Sequence, residues 1–225
     1  MSLEMSKLLR RLNLSQEKIA EQEDAKEVKL YEIEDTEEFL SPLKKSGKAY
    51  FTVKYNNGGI EYLLFKTVEG VALIENSNFL FMSFASAFFS DEEIEKYTDD
   101  SKQLYGFCDA NGIELKNIAL DTSLAAYLLN PNSSDYSVKM LAGSYSLAPV
   151  KIQAGDLSDF YLTEKDFVDG GAYIEALSIK LSAEIKENNQ EKLLYEIEIP
   201  LARVLASMER EGFLVDALGI KNFGV

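Results

Sequence analysis

The chain has 225 residues, 46% of them hydrophobic and 27% charged, with a formal net charge of −15 and no histidine. That size and apolar content suit a packed core, in one large domain or in one domain with extra pieces at its ends. The negative field repels phosphate backbones, and the missing histidine removes the commonest metal ligand, the usual general base and any Ser–His or Cys–His nucleophile pair.

No apolar run approaches a membrane span, and the opening MSLEMSKLLRRL lacks the apolar centre of a signal peptide. The single cysteine, Cys108, excludes an internal disulfide, suits a reducing cytosol and is expected to be buried filler. Any chemistry would have to rest on carboxylates.

Residues 1–26 read as a lead-in: an apolar stripe of Leu8, Leu9, Leu12 and Leu14, then the charged run Gln16 to Glu27. Val28 to Tyr31 is a strand candidate. Asp35 with Glu38 three residues on is a capping-box pattern, opening a helix with Phe39, Leu40 and Leu43 inside and Gly47 at its end. Ala49 to Tyr55, Ile60 to Lys66 and Val71 to Ile74, separated by glycine-bearing turns, predict an antiparallel meander. Asn78 to Phe89 holds five phenylalanines. Its start is expected to be strand-like, and its aromatics to fill the core rather than stack bases, because basic residues are missing nearby. Ser90 to Glu93 is expected to cap a short helix through Tyr97, Gln103 to Tyr105 to form a short strand, and Gly106 to Asn111 a helical turn.

The densest local signal runs from Gly112 to Leu147. Ile118 to Leu120 is a buried strand, Asp121 caps a helix carrying Leu124, Ala125, Tyr127, Leu128 and Leu129, Pro131 ends it, and a second helix starts near Ser137. Ala148 to Phe160 reads as loop. Thr163 opens a long helix that Gly170-Gly171 interrupts, at roughly 1 kcal/mol per glycine. From Glu191 on, Leu193, Leu194, Ile197, Ile199, Leu201, Val204, Leu205 and Met208 make a strong helical stripe. Pro200 kinks it or restarts it, Gly212 closes it, and Phe213 to Asp216 leaves extended.

Three stretches resemble the bacterial DNA polymerase I family. Glu198-Ile199-Pro200-Leu201, Leu205 to Glu209 and Gly212 to Asp216 look like the segment leading into its polymerase domain. GIELKNIALDTSLAAYLLNP looks like the second half of its 3′–5′ exonuclease domain, and LLRRLNL like the end of its upstream 5′ nuclease. The resemblance implies an α/β, RNase H-like fold, with a mixed central sheet flanked by helices and a C-terminal helical extension. It divides the chain into a linker (1–26), a degenerate exonuclease-like domain (27–190) and the start of a truncated polymerase domain (191–225).

A proofreading exonuclease of this kind uses two divalent metals held by carboxylate oxygens. The resemblance puts Thr52 and Lys54 where the first strand's Asp-x-Glu belongs, Leu104 at the second motif's aspartate and Gly171 at the aspartate of the last helix. All four ligands are then missing, and Lys54 sets a positive charge where a dication would sit. A slip of the count would bring in Asp100, Asp109 or Asp169. The implied fragment is non-catalytic and architectural. It takes no metal or cofactor of its own, with Mg²⁺ expected only in the absent polymerase domain, and it packs within one chain on that domain. Contact with DNA is weak or absent for the fragment and comes through a cytoplasmic parent, a DNA-directed DNA polymerase of replication and repair. The competing readings are a working metal-dependent exonuclease with shifted ligands and an acidic protein-interaction module.

Overall fold

The computed structural model describes residues 26–212 and 214–223, so the lead-in read over 1–26 lies, save for Lys26, outside the described residues, as does Phe213. In chain order the elements are β1 (Lys26–Glu32), α1 (Thr36–Ser46), β2 (Lys48–Asn56), β3 (Gly59–Lys66), β4 (Gly70–Glu75), α2 (Phe81–Phe89), β5 (Glu95–Thr98), α3 (Ser101–Ala110) and β6 (Ile118–Asp121). Then follow α4 (Thr122–Leu129), α5 (Val138–Ser144), β7 (Val150–Gln153), a 3₁₀ turn (Gly155–Leu157), α6 (Ser158–Thr163), α7 (Lys165–Glu187), a π-helical turn (Leu193–Glu198), α8 (Ile199–Glu211) and α9 (Ala217–Phe223).

Seven strands among the described residues make one mixed sheet in the order β6-β5-β2-β3-β4-β1-β7. The meander β2–β3–β4 is antiparallel, as its turns predict. The other neighbours, β1–β4, β1–β7, β2–β5 and β5–β6, are parallel.

Alternation along β2 sends its side chains to two different cores. Phe51 and Val53 join Phe65, Phe81, Phe84, Phe88 and Phe89 on one face. Phe51 lies 5.4 Å from the Phe65 ring and 5.2 Å from that of Phe88, so the phenylalanine run is indeed core filling. The other face is covered by α7, whose Ile174, Leu177, Leu181 and Ile185 are fully buried.

Capping fixes several boundaries where the sequence places them. Asp35 accepts from the Glu38 N–H at 2.8 Å, and Gly47 takes the left-handed conformation (φ 70°) that ends α1.

Four local expectations are corrected. The start of Asn78–Phe89 is turn, and the phenylalanines from Phe81 are helical, because Phe81, Phe84, Ala85 and Phe88 share one buried face at helical spacing. Ser90 to Glu93 leads into strand β5 instead of a helix: Asp91 accepts from the Glu93 N–H at 2.8 Å in a closed turn, and β5 pairs with both β2 and β6. Gln103 to Tyr105 is helical, since Asp100 caps α3 through the Gln103 N–H at 3.0 Å. The stretch read as loop after Ala148 contains β7, recruited by β1 as its parallel partner.

The long helix is not broken at Gly170-Gly171. A Cβ on Gly171 would stand 3.1 Å from Leu64 Cβ and 3.4 Å from Val71 Cγ1, and one on Gly170 would stand 3.6 Å from Val138. The pair lets α7 lie close to the sheet and to α5, which offsets its helix penalty. Pro200 sits in the first turn of α8, where its missing N–H costs least, and the π-helical turn precedes it.

Candidate functional site

The parallel strands β2, β5 and β6 end on the same side of the sheet, the side where open α/β folds place ligands. Two hollows lie there. The first, about 750 Å³, is bounded by Val53, Lys54 and Tyr55 of β2, Gln103 of α3 and residues 162–167 at the α6–α7 corner. The second, about 320 Å³, lies between Asp99, Asp100, Asp121 and Ser123 on one side and Glu198, Leu201, Ala202 and Leu205 on the other.

Three of the four residues singled out from sequence share the α7 face of the sheet. Thr52 pairs across strands with Leu64, the residue against which Gly171 packs, and Lys54 two residues on reaches the corner where α7 begins. Thr52 is 1% exposed, and its hydroxyl finds no partner among the described residues. Lys54 is ion-paired with Glu164 and stands 3.9 Å from Glu61. Leu104 is not with them. It is fully buried in the phenylalanine core, on the Phe51–Val53 side.

This donor set does not fit a divalent metal. It offers one buried hydroxyl, one ammonium, a core leucine and a glycine whose Cβ position is already crowded. The three carboxylates that a slipped count would bring in are engaged or apart. Asp100 binds the Gln103 N–H at 3.0 Å and Nε2 at 2.6 Å, Asp109 sits in the last turn of α3, and Asp169 pairs with Lys165 and accepts from the Tyr161 hydroxyl. Among the described residues no group of three or more His, Cys, Asp or Glu is placed to hold a metal ion.

The second hollow contains the carboxylates that sequence reasoning undervalued. Asp121, 2% exposed, does more than cap α4. One oxygen accepts from the Ser123 and Leu124 N–H groups at 2.9 and 3.0 Å, and the other from the Ser101 N–H and hydroxyl at 2.7 Å each, so one side chain caps both α3 and α4. Burial pushes its carboxyl up while these four donors pull it down. Asp99 accepts only a longer bond, from the Val53 N–H at 3.3 Å. Burial first, then the Asp121 charge, pushes it up to about 7. Burial is the largest influence on both carboxyls and raises both, so the two titrate as a coupled pair. The signal for this was present as Asp99-Asp100 directly after β5 and Asp121 at the end of β6, with Asp100 and Asp121 each opening a helix.

Two other buried groups have packing roles. Lys96 is fully buried, donates to the Asp91 and Ile94 carbonyls at 2.5 and 3.0 Å, and is lowered by burial to about 8. Burial pushes the Cys108 thiol up to about 12, which leaves no thiolate near neutrality.

This fold, with its sheet order and its hollows at the strand ends, is that of the RNase H-like 3′–5′ exonucleases. It aligns with Brucella melitensis NrnC at TM-score 0.58 (9% identity, 83% of this chain and 95% of that one) and with Escherichia coli RNase D at 0.51 (15% identity, 85% and 52%). Residues 49–154 match the family described as DNA polymerase I, ribonuclease H-like domain. DNA polymerase I of Bacillus subtilis is 33% identical over 147 residues, 60% of this chain and 16% of that protein. The Geobacillus stearothermophilus enzyme is 32% identical over 146 residues, 61% and 17%. The chain thus spans about a sixth of the curated relatives it matches. The POL domain of Pol1 from M. smegmatis, solved with DNA primer-template and dNTP, superimposes at TM-score 0.68 with 20% identity over 83% of this chain and 33% of that one. Among the described residues no helix is long and apolar enough to cross a membrane.

Proposed function

We propose that this chain is part of a bacterial, cytoplasmic DNA polymerase I, in which residues 27–190 form an exonuclease-like domain without proofreading activity and residues 191–225 begin the polymerase domain. The parent copies DNA in replication and repair. This piece acts as a scaffold and touches DNA weakly or not at all by itself. The observation that carries the reading is the cleft at the end of β2, where Lys54 lies against Glu164 and Gly171 lies against Leu64 in place of metal-binding carboxylates. The charge of −15 adds to it, because a melted primer end needs positive charge to hold it. The exposed side of the C-terminal helix, with Leu201, Val204, Leu205 and Met208 all at least 40% exposed, fits packing against the rest of such a polymerase.

A second reading, a metal-dependent exonuclease with shifted ligands, is favoured by one observation: Asp99, Asp121 and Glu198 line the smaller hollow. A labelled single-stranded oligonucleotide incubated with the protein and rising Mg²⁺ or Mn²⁺ separates the two. The scaffold reading expects no more 3′ trimming than in chelator. Trimming that appears with metal and vanishes with chelator would establish the second.

A further inference from the structure

Lys54 has three attachments that meet at one place. Its ammonium is paired with Glu164, stands 3.9 Å from Glu61 Oε2 and lies 5.8 Å from the centre of the Tyr62 ring. Glu164 is the residue from which α7 starts, and Glu61 and Tyr62 are on β3. Tyr62 packs edge-on against Phe160 of α6, with ring centres 5.0 Å apart. The β2–β3 register shifts between Lys54 and Tyr55, an irregularity of the kind that re-aims a side chain. Other charges at the corner are engaged elsewhere, Lys165 with Asp169 and Asp166 with Lys139. The Lys54 and Glu164 side chains are only 31% and 18% exposed, so the pair is partly shielded from water.

We infer that Glu61 and Glu164 form a two-carboxylate seat that the chain fills with its own ammonium, so that Lys54 is the resident cation of the cleft and clips the α6–α7 corner to the end of β2. A dissociable ion in that seat would leave the corner free to open at low metal; a tethered ammonium holds it at all times. Gly171 fixes α7 about two turns further on by contact with Leu64, so the clip governs the corner and the first turn of the helix. The clip stands whether or not the chain cuts DNA.

Amide hydrogen exchange across residues 161–169 of the full chain tests this, with Lys54→Met keeping the apolar stem and deleting the charge. Lys54→Met and Glu164→Gln are each expected to speed exchange there roughly three- to fivefold, the size of a partly exposed ion pair. The double variant should be no faster than either single. Millimolar Mn²⁺ should slow exchange again in Lys54→Met, where both carboxylates remain, and leave the native chain and Glu164→Gln unchanged. Lys54→Arg should keep native exchange. Unchanged exchange in the single variants, additive effects in the double, or equal slowing of the native chain by Mn²⁺ would each overturn the inference. If Lys54→Met does not fold, Glu61→Gln and Glu164→Gln carry the same comparison.

Discussion

The two hollows at the strand ends are neighbours with opposite chemistry. At the end of β2 the Lys54 ammonium stands among carboxylates, paired with Glu164 and near Glu61, beside a helix pressed onto the sheet. At the ends of β5 and β6 stand Asp99, Asp100 and Asp121, the last accepting from four donors at two helix starts. In this second hollow, helix starts satisfy Asp100 and Asp121. In the first, the carboxylates are neutralised by the chain's own ammonium.

Substitutions can break that contrast. The largest effects should come from placing carboxylates at Leu104 and Gly171, two of the positions that the family resemblance assigns to metal ligands. Leu104→Asp puts an unpaired charge into the phenylalanine core and should cost about 4 kcal/mol. Gly171→Asp forces a side chain against Leu64 and should cost about 3 kcal/mol. Urea unfolding of the two variants measures both, and native-like stability in either would mean that the site can still accept an acid.

Next comes the second hollow. Asp121→Ala leaves two helix starts without their shared cap and should lower stability by about 2 to 3 kcal/mol, with the loss seen in the same titration.

Asp99→Asn should act in the other direction. The native carboxyl is raised from 3.8 to about 7, so the folded state holds its proton more tightly than the unfolded chain does. That contribution is complete below pH 3.8 and is lost as pH rises towards 7. The asparagine variant should flatten this part of the stability–pH curve. At pH 8 it should exceed the native chain by roughly 1 kcal/mol, less than the shift alone implies because the side chain is partly solvated. An unchanged slope between pH 4 and 7 would remove Asp99 from that role.

The smallest effect is expected at Thr52→Val, which removes a buried hydroxyl with no partner among the described residues and should be neutral or stabilising by under ~1 kcal/mol in thermal melts.

Much of this was legible before any coordinates. The meander, the Asp35 cap, the Ile118-to-helix unit and the C-terminal stripe all follow from local periodicity and capping, which the tertiary structure left intact. The misread segments are those whose state depends on distant partners. Glu95 to Thr98 is too short to declare itself a strand until β2 and β6 flank it, and β7 exists because β1 pairs with it. At the site, residue types could be read from the sequence, but their company could not. Nothing in the chain says that Lys54 meets Glu164, 110 positions away, or that Leu104 faces the opposite core. The glycine pair reads as a helix flaw from propensity alone and becomes a packing device only beside Leu64 and Val138.

On the proposed function, the cleft at the end of β2 holds an internal cation and close packing where a proofreading exonuclease holds its metals. A Mn²⁺ titration of the native chain followed by electron paramagnetic resonance addresses it most directly. Undiminished signal from the free aquo ion at every addition is the predicted result. Uptake of a coupled pair of Mn²⁺ ions, displaced by Mg²⁺, would contradict it.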